Sequence, residues 1–215
     1  MKINLNKRIL DKNEQWAQLN QKFFEENGVT CVNVISSPGS GKTTTLSRTI
    51  TDLNSELTIG VIEGDIKTDT DAQKIRQTGA AAVQVETQGA CHLSAQQVSN
   101  ALAEIKAGEL DLVFIENVGN LVCPTSFELG EKARVIILSV PEGDDKPIKY
   151  PNSFATADAV LINKIDLVEH IDFDTERVEK DIKTVNPGAA IFHISARTGE
   201  GMQAWYEWLQ EVRKA

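Results

Sequence analysis

An α/β fold in three layers, a mostly parallel seven-stranded sheet with helices on both faces, is predicted by three observations on this 215-residue chain. Short apolar runs alternate with stretches of helical periodicity, the pattern of strands joined by crossover helices. A glycine-containing turn, Ser36-Ser37-Pro38-Gly39-Ser40-Gly41-Lys42-Thr43, lies between a β-branched run and a helix-compatible run. The other polar motifs fall just beyond predicted strands, where ligands of parallel sheets bind.

Residues 4 to about 26 predict an amphipathic helix, with Leu5, Ile9, Trp16, Leu19 and Phe23 on one face and Asn27-Gly28 as its stop. It is expected to pack on the flank as an N-terminal unit (1–28), followed by one nucleotide-binding domain (29–215). Val32-Asn33-Val34-Ile35 predicts the first strand, and a helix runs from the glycine turn to about Leu53. Leu57 to Ile62 predicts the second strand, ending in Glu63-Gly64-Asp65; Ile66 to Gln77 predicts a loop and a short helix. Strands are further expected at Ala81–Val85, Leu112–Ile115, Arg134–Val140, Ala159–Ile162 and Ala190–Ile194. Helices are expected from about Leu93 to Lys106, from Asp174 to Asn186-Pro187-Gly188, and through Met202, Trp205, Leu209 and Val212.

Hydrophobic residues make up 41% and charged residues 25%, an ordinary globular composition. The formal net charge of −9 argues against nucleic acid as a partner. No apolar run reaches the roughly 18 residues of a membrane span, and the N-terminus lacks the apolar core of a secretory signal. With three cysteines, Cys31, Cys91 and Cys123, and no export signal, a reducing cytoplasm is expected.

The glycine turn has the strand–loop–helix setting of a phosphate-binding loop. Gly39 and Gly41 allow the backbone N–H groups to converge on an anion, and the helix start adds more donors. Ser37, Pro38, Ser40 and Thr44 complete the cradle, Lys42 is placed along the β- and γ-phosphates, and the Thr43 hydroxyl on Mg²⁺. The opening glycine of G-x-x-x-x-G-K-S/T is Ser36 here. Together these define a P-loop NTPase.

Asn163-Lys164-Ile165-Asp166 follows the sixth strand. The Asp166 carboxylate can accept from guanine N1 and N2, a donor pair that adenine lacks, so GTP is selected over ATP. Asn163 can meet the base and hold the loop, the Lys164 stem can stack on the ring, and Ser195-Ala196-Arg197 supplies a backbone N–H for guanine O6. Glu116-Asn117-Val118-Gly119 ends the fourth strand, with Glu116 and Asp65 as candidates for holding Mg²⁺ and the Gly119 amide for the γ-phosphate. Asn120 stands where many small GTPases carry the glutamine that orients water, so slow hydrolysis of GTP to GDP is expected, completed by a second protomer or a partner.

Cys91-His92 follows the third strand and Cys123-Pro124 the fourth, seven residues beyond Glu116, whereas Cys31 reads as inert core. Two thiolates and an imidazole suit Zn²⁺ and Ni²⁺ alike. They leave a tetrahedral site one ligand short, to be filled by water or by thiols of a second chain.

The stretches Ser36–Thr43, Gly89-Ala90-Cys91-His92-Leu93, Glu116 through Pro124 and Glu142-Gly143-Asp144-Asp145-Lys146 resemble the nickel-incorporation GTPases of NiFe-hydrogenase maturation, the HypB family of SIMIBI-class P-loop GTPases. The likeness runs from about residue 10 to the end. It implies a GTPase that forms a homodimer when GTP binds and holds Ni²⁺ or Zn²⁺ at the subunit interface. It also implies a nickel metallochaperone partner and delivery to the hydrogenase large subunit. Lys149 resembles a position that reaches the other protomer's nucleotide. Residues 1–30 carry neither the cysteine motif nor the histidine-rich segment that some members use for tight nickel binding or storage. The alternatives are a urease-type nickel GTPase, which would be expected to carry a Cys-Pro-His motif, and a GTP-gated binding module with structural cysteines. An ATP-dependent small-molecule kinase conflicts with Asp166.

Overall fold

The computed structural model describes residues 5–65, 70–87 and 89–215, with side chains in the first helix described from Leu10 onward. Seven strands form one sheet: β1 Thr30–Ser36, β2 Ile59–Asp65, β3 Ala81–Glu86, β4 Leu112–Glu116, β5 Ala133–Ser139, β6 Ala159–Asn163 and β7 Ala190–Ile194. Their order is β3-β2-β4-β1-β5-β6-β7, and every pairing is parallel, so the sheet is wholly parallel where the sequence predicted mostly so.

The helices are α1 Leu5–Asn27, α2 Lys42–Leu53, α3 Thr70–Gln77, α4 Ala95–Glu104, α5 Lys146–Lys149, α6 Pro151–Ala155, α7 Thr175–Val185 and α8 Met202–Lys214. Ser94 caps α4 with a reciprocal box to Gln97, which starts the helix two residues later than its apolar pattern suggests. Asp174 caps α7 through the Arg177 N–H.

Side chains alternate across the sheet with the period of two that strands impose. Val32 and Val34 of β1 face a core shared with Leu46 and Ile50 of α2 and Trp205 and Leu209 of α8. Cys31 faces the opposite core, built with Ala17 and Phe24 of α1 and Val98 and Leu102 of α4. Cys31 is fully buried, and burial pushes its thiol well up, as the inert-core reading expects.

Two boundaries differ from expectation. Leu19 is 56% exposed, while Asn13, Ala17, Asn20 and Phe24 form the buried stripe of α1. The Asn20 amide donates to the carbonyls of Ala95 and Leu129, and Asn13 donates to that of Glu128 and accepts from the Ala95 N–H. Satisfied asparagines thus outrank a leucine for the inner face. Leu5 and Ile9 lie outside the described side chains. The second difference is that β2 begins at Ile59 rather than Leu57, where its pairing with β4 starts at Ile59↔Leu112, while it ends in Glu63-Gly64-Asp65 as expected. The start of the predicted loop after β2, at Ile66, lies outside the described residues, and its helical part is α3.

Candidate nucleotide and metal sites

The carboxyl ends of β1, β2 and β4 open into a cavity of about 530 Å³ lined by the glycine turn, Glu63, Asp65, Asp71, Glu116 and Gly119. Gly39 and Gly41 both have positive φ, 77° and 98°. A Cβ on Gly41 would stand 2.6 Å from the Asn163 amide nitrogen, so the turn is both left-handed and closely approached. Ser36 has its own use at the missing glycine: its hydroxyl oxygen accepts from Lys42 Nζ at 3.1 Å and from Ser40 Oγ at 2.5 Å. The lysine is thereby held at the floor of the loop.

Thr43 donates its hydroxyl to Glu116 Oε1 at 2.7 Å. Across the β2–β4 pair stands Glu63, which sequence reasoning missed although it shares a strand face with Asp65 two residues on. Glu63 and Glu116 are 3% and 2% exposed, and Oε2 of each is buried without a hydrogen-bond partner. Burial first, then the neighbouring Glu116 carboxyl, pushes Glu63 from 4.5 up to about 11. Burial also raises Glu116, against the pull of the Glu63 hydrogen bond, Lys42 and Thr43. Among the described residues, Glu63, Asp71 and Glu116 bring carboxylate oxygens within 4.8 Å of one another. Orphaned hard oxygens beside a threonine hydroxyl fit a divalent cation such as Mg²⁺. Asp65 lines the same cavity. Gly119 lies against the loop, where an added Cβ would sit 3.1 Å from Pro38 Cγ.

A second cavity of about 270 Å³, sharing Gly41, Thr44 and Lys164 with the first, is lined by Asp166, Ala196 and Arg197. Ser195 donates to Asp166 Oδ1 at 2.6 Å, and the Arg197 guanidinium lies 4.0 Å from Oδ2. Asn163 is 2% exposed; its Nδ2 donates to the Ser40 carbonyl and its Oδ1 accepts from the Ala196 N–H. Asn163 therefore ties the phosphate loop to the Ser195 loop. Lys164 adopts a left-handed φ of 64° and donates Nζ to the Gly39 carbonyl at 2.6 Å, laying its stem along the cavity.

Cys123 comes near enough to act on the Cys91 thiol although β3 and β4 are separated by β2, but among the described residues Cys91, His92 and Cys123 do not bring three ligand atoms within 4.8 Å of one another. The hydrogen bond with Cys123, followed by burial, pushes the Cys91 thiol up, and the Asn120 side chain also reaches it. The Asn120 Oδ1 accepts from the N–H groups of Val122 and Cys123, curling the backbone so that Cys123 opens a single helical turn, Cys123–Ser126. His92 stacks on Phe127 with ring centroids 3.8 Å apart, and its Nδ1 lies 3.8 Å from Cys91 Sγ. Burial lowers His92, favouring the neutral imidazole a metal needs. Both thiols must lose their protons to ligate, so binding here would release protons. Lys149, exposed at the end of α5, pairs with Asp145 just before that helix.

A parallel sheet carrying a phosphate loop, a threonine–carboxylate cluster and an Asn-Lys-x-Asp turn at its carboxyl edge defines a P-loop NTPase of the GTPase type. Residues 30–193 match the CobW/HypB/UreG nucleotide-binding domain. Hydrogenase maturation factor HypB of Rhizobium leguminosarum bv. viciae is 50% identical over 97% of this chain and 70% of its own length. The crystal structure of HypB from Archaeoglobus fulgidus superimposes with a TM-score of 0.89 at 38% identity, covering 95% of this chain and all of that one. HypB from Helicobacter pylori, solved in complex with nickel, gives 0.89 at 40% identity over 94% of this chain and 95% of that one. The chain belongs to the CobW/HypB/UreG family and, within it, to the HypB group of hydrogenase maturation factors. No helix among the described residues is long and apolar enough to cross a membrane.

Proposed function

We propose that this chain is a GTP-hydrolysing metallochaperone that binds nickel or zinc and uses GTP-dependent dimerisation to deliver nickel during NiFe-hydrogenase maturation. The observation that carries the proposal is the place of Cys123, seven residues beyond Glu116 on the short segment whose start, Glu116 to Gly119, lines the phosphate cavity, with Cys91 near enough to feel it. The HypB relatives and the nickel complex of the Helicobacter pylori protein support the metal and the pathway.

In this mechanism Lys42 leaves the Ser36 hydroxyl for the β- and γ-phosphate oxygens, exchanging one hydrogen bond for charge-assisted ones. Thr43, Glu116 and Asp65, with Glu63 and Asp71 around them, hold Mg²⁺. When bound, Mg²⁺ neutralises charge developing on the phosphate oxygens. Asp166, oriented by Ser195, reads guanine N1 and N2, and the Gly119 amide senses the γ-phosphate. Without a glutamine at Asn120, water is poorly oriented and turnover is slow until a second protomer or a partner completes the site. Cys91, His92 and Cys123 hold the cargo ion at the face where two nucleotide-bound copies meet. A nickel metallochaperone supplies the ion and the hydrogenase large subunit receives it, in the cytoplasm.

Nickel titrations with GDP and with a non-hydrolysable GTP analogue, run on the wild type and on the Cys91→Ala, Cys123→Ala double variant, test this. Affinity should depend on the nucleotide and fall at least about tenfold in the variant. Equal nickel affinity in both proteins would leave a binding module with structural cysteines.

A further inference from the structure

We propose that Asn117 is a positioning residue that couples the phosphate-sensing turn to both segments of the metal site through a buried polar relay. The inference rests on the nickel-delivery reading above and assigns the wiring that it requires.

Asn117 is 1% exposed, and its backbone N–H donates to the Val34 carbonyl, so it extends the β1–β4 pairing beside the phosphate loop. Its single side-chain oxygen accepts two N–H groups, from Val118 at 3.0 Å and from Leu93 at 3.2 Å. Val118 belongs to the turn ending in Gly119, and Leu93 directly follows Cys91-His92. One acceptor thus clamps the nucleotide turn and one cysteine–histidine pair.

The amide nitrogen of Asn117 continues in the other direction. It donates to Asn33 Oδ1 at 3.3 Å, and the fully buried Asn33 donates to Glu131 Oε1 at 2.9 Å. Arg134, itself buried, donates Nη2 to the same Glu131 oxygen at 2.7 Å and Nη1 to the Thr125 carbonyl at 3.2 Å. Thr125 lies in the helical turn that Cys123 opens. The relay therefore leaves one side chain and reaches both halves of the thiol pair.

Side-chain amides with every group engaged inside a low-dielectric interior cannot shift one bond without disturbing the rest. Leu93 is fully buried, so its N–H has no water to fall back on. When a γ-phosphate draws the Val118-Gly119 turn toward the loop, the shared Asn117 oxygen must follow or abandon Leu93. Either motion reaches the Cys91-His92 segment. The coupling runs both ways, because metal-induced movement of Leu93 acts on the same oxygen.

The test uses the full chain with Ni²⁺ alone as probe, in three proteins: wild type, Asn117→Ala and Asn33→Ala. Two quantities are read. One is the ratio of nickel affinities with GTP analogue and with GDP; the other is hydrogen exchange at the Leu93 amide in the two nucleotide states. In the wild type the ratio should depart from one by about tenfold, within the usual range of allosteric coupling. Leu93 protection should change with nucleotide. In Asn117→Ala the ratio should shrink to within about threefold of one, and Leu93 protection should lose its nucleotide dependence. Asn33→Ala, which cuts only the arm toward Cys123, should reduce the ratio while leaving Leu93 responsive. If Asn117→Ala melts too early to titrate, Asn33→Ala carries the test. Wild-type ratios in a folded Asn117→Ala, or in Asn33→Ala, overturn the relay. A wild type whose nickel affinity ignores nucleotide while Leu93 still responds sinks the delivery reading and leaves the clamp on Leu93. Indifference of both sinks the two together.

Discussion

Replacing Glu63 by glutamine should remove most of the pH sensitivity of the nucleotide-free protein. The parallel register sets Glu63 opposite Glu116, and both are at most 3% exposed. Glu63 therefore keeps its proton in the folded chain up to about 11, against 4.5 when unfolded. Between those limits the folded state binds more protons, so stability falls as pH rises. It is highest below the unfolded value and is lost progressively until pH passes the folded one. The limiting slope is about 1.4 kcal/mol per pH unit, or about 3 kcal/mol between pH 6 and pH 8. For a domain of this size that corresponds to roughly 6–12 °C in melting temperature. Glutamine is nearly isosteric, can still donate to Glu116, and carries no ionisation to suppress. Thermal melts followed by circular dichroism at pH 6, 7 and 8 without nucleotide or Mg²⁺ give the comparison. The wild-type slope should exceed that of Glu63→Gln by most of the stated amount. Adding Mg²⁺ with GTP analogue should flatten the wild type, because a cation takes over the proton's task. Parallel slopes in the two proteins would refute the carboxyl-pair argument.

Lys42→Ala should lower steady-state GTP hydrolysis by about 100-fold or more, the scale of losing a charge stabiliser at the transferred phosphate; near-normal phosphate release would show the loop to be misassigned. Asp166→Ala should reduce the preference for GTP over ATP by roughly 100-fold or more in competition binding, since the polar discrimination at the base is then absent. Retained selectivity would move base recognition elsewhere. Trp205→Ala should destabilise the chain by about 3–5 kcal/mol in urea, because the indole is fully buried and donates to Thr49 Oγ1 at 3.0 Å. A loss below about 1 kcal/mol would mean that the core on the α8 side relaxes around the gap.

How much was legible follows from what kind of signal each residue leaves. The seven strands and helices α2, α3, α4, α7 and α8 stand out because alternation and helical periodicity are local, and α2 begins at Lys42 as the glycine turn requires, whereas the four- and five-residue α5 and α6 are too short to show a period and were not expected. The stripe on α1 was misplaced at Leu19 because the two asparagines that take the inner face find their partners in Ala95, Glu128 and Leu129, about 75 to 115 residues away. Glu63 was passed over in favour of Asp65 because the register of β2 against β4, which sets Glu63 opposite Glu116, is not written in either strand alone. Asn163 was expected to meet the base and hold the loop, and its amide does the second, tying together the Ser40 and Ser195 loops.

The chain alone determined the layer architecture, the phosphate loop and the residue types able to select guanine and a thiophilic ion. Each of these is written in neighbouring residues or in a short repeat. Only the tertiary structure decided which buried polar groups stand together: Glu63 with Glu116, and Asn117 with both Leu93 and Asn33. Those meetings depend on strand order and register, which bring together residues tens of positions apart and leave no trace in local spacing.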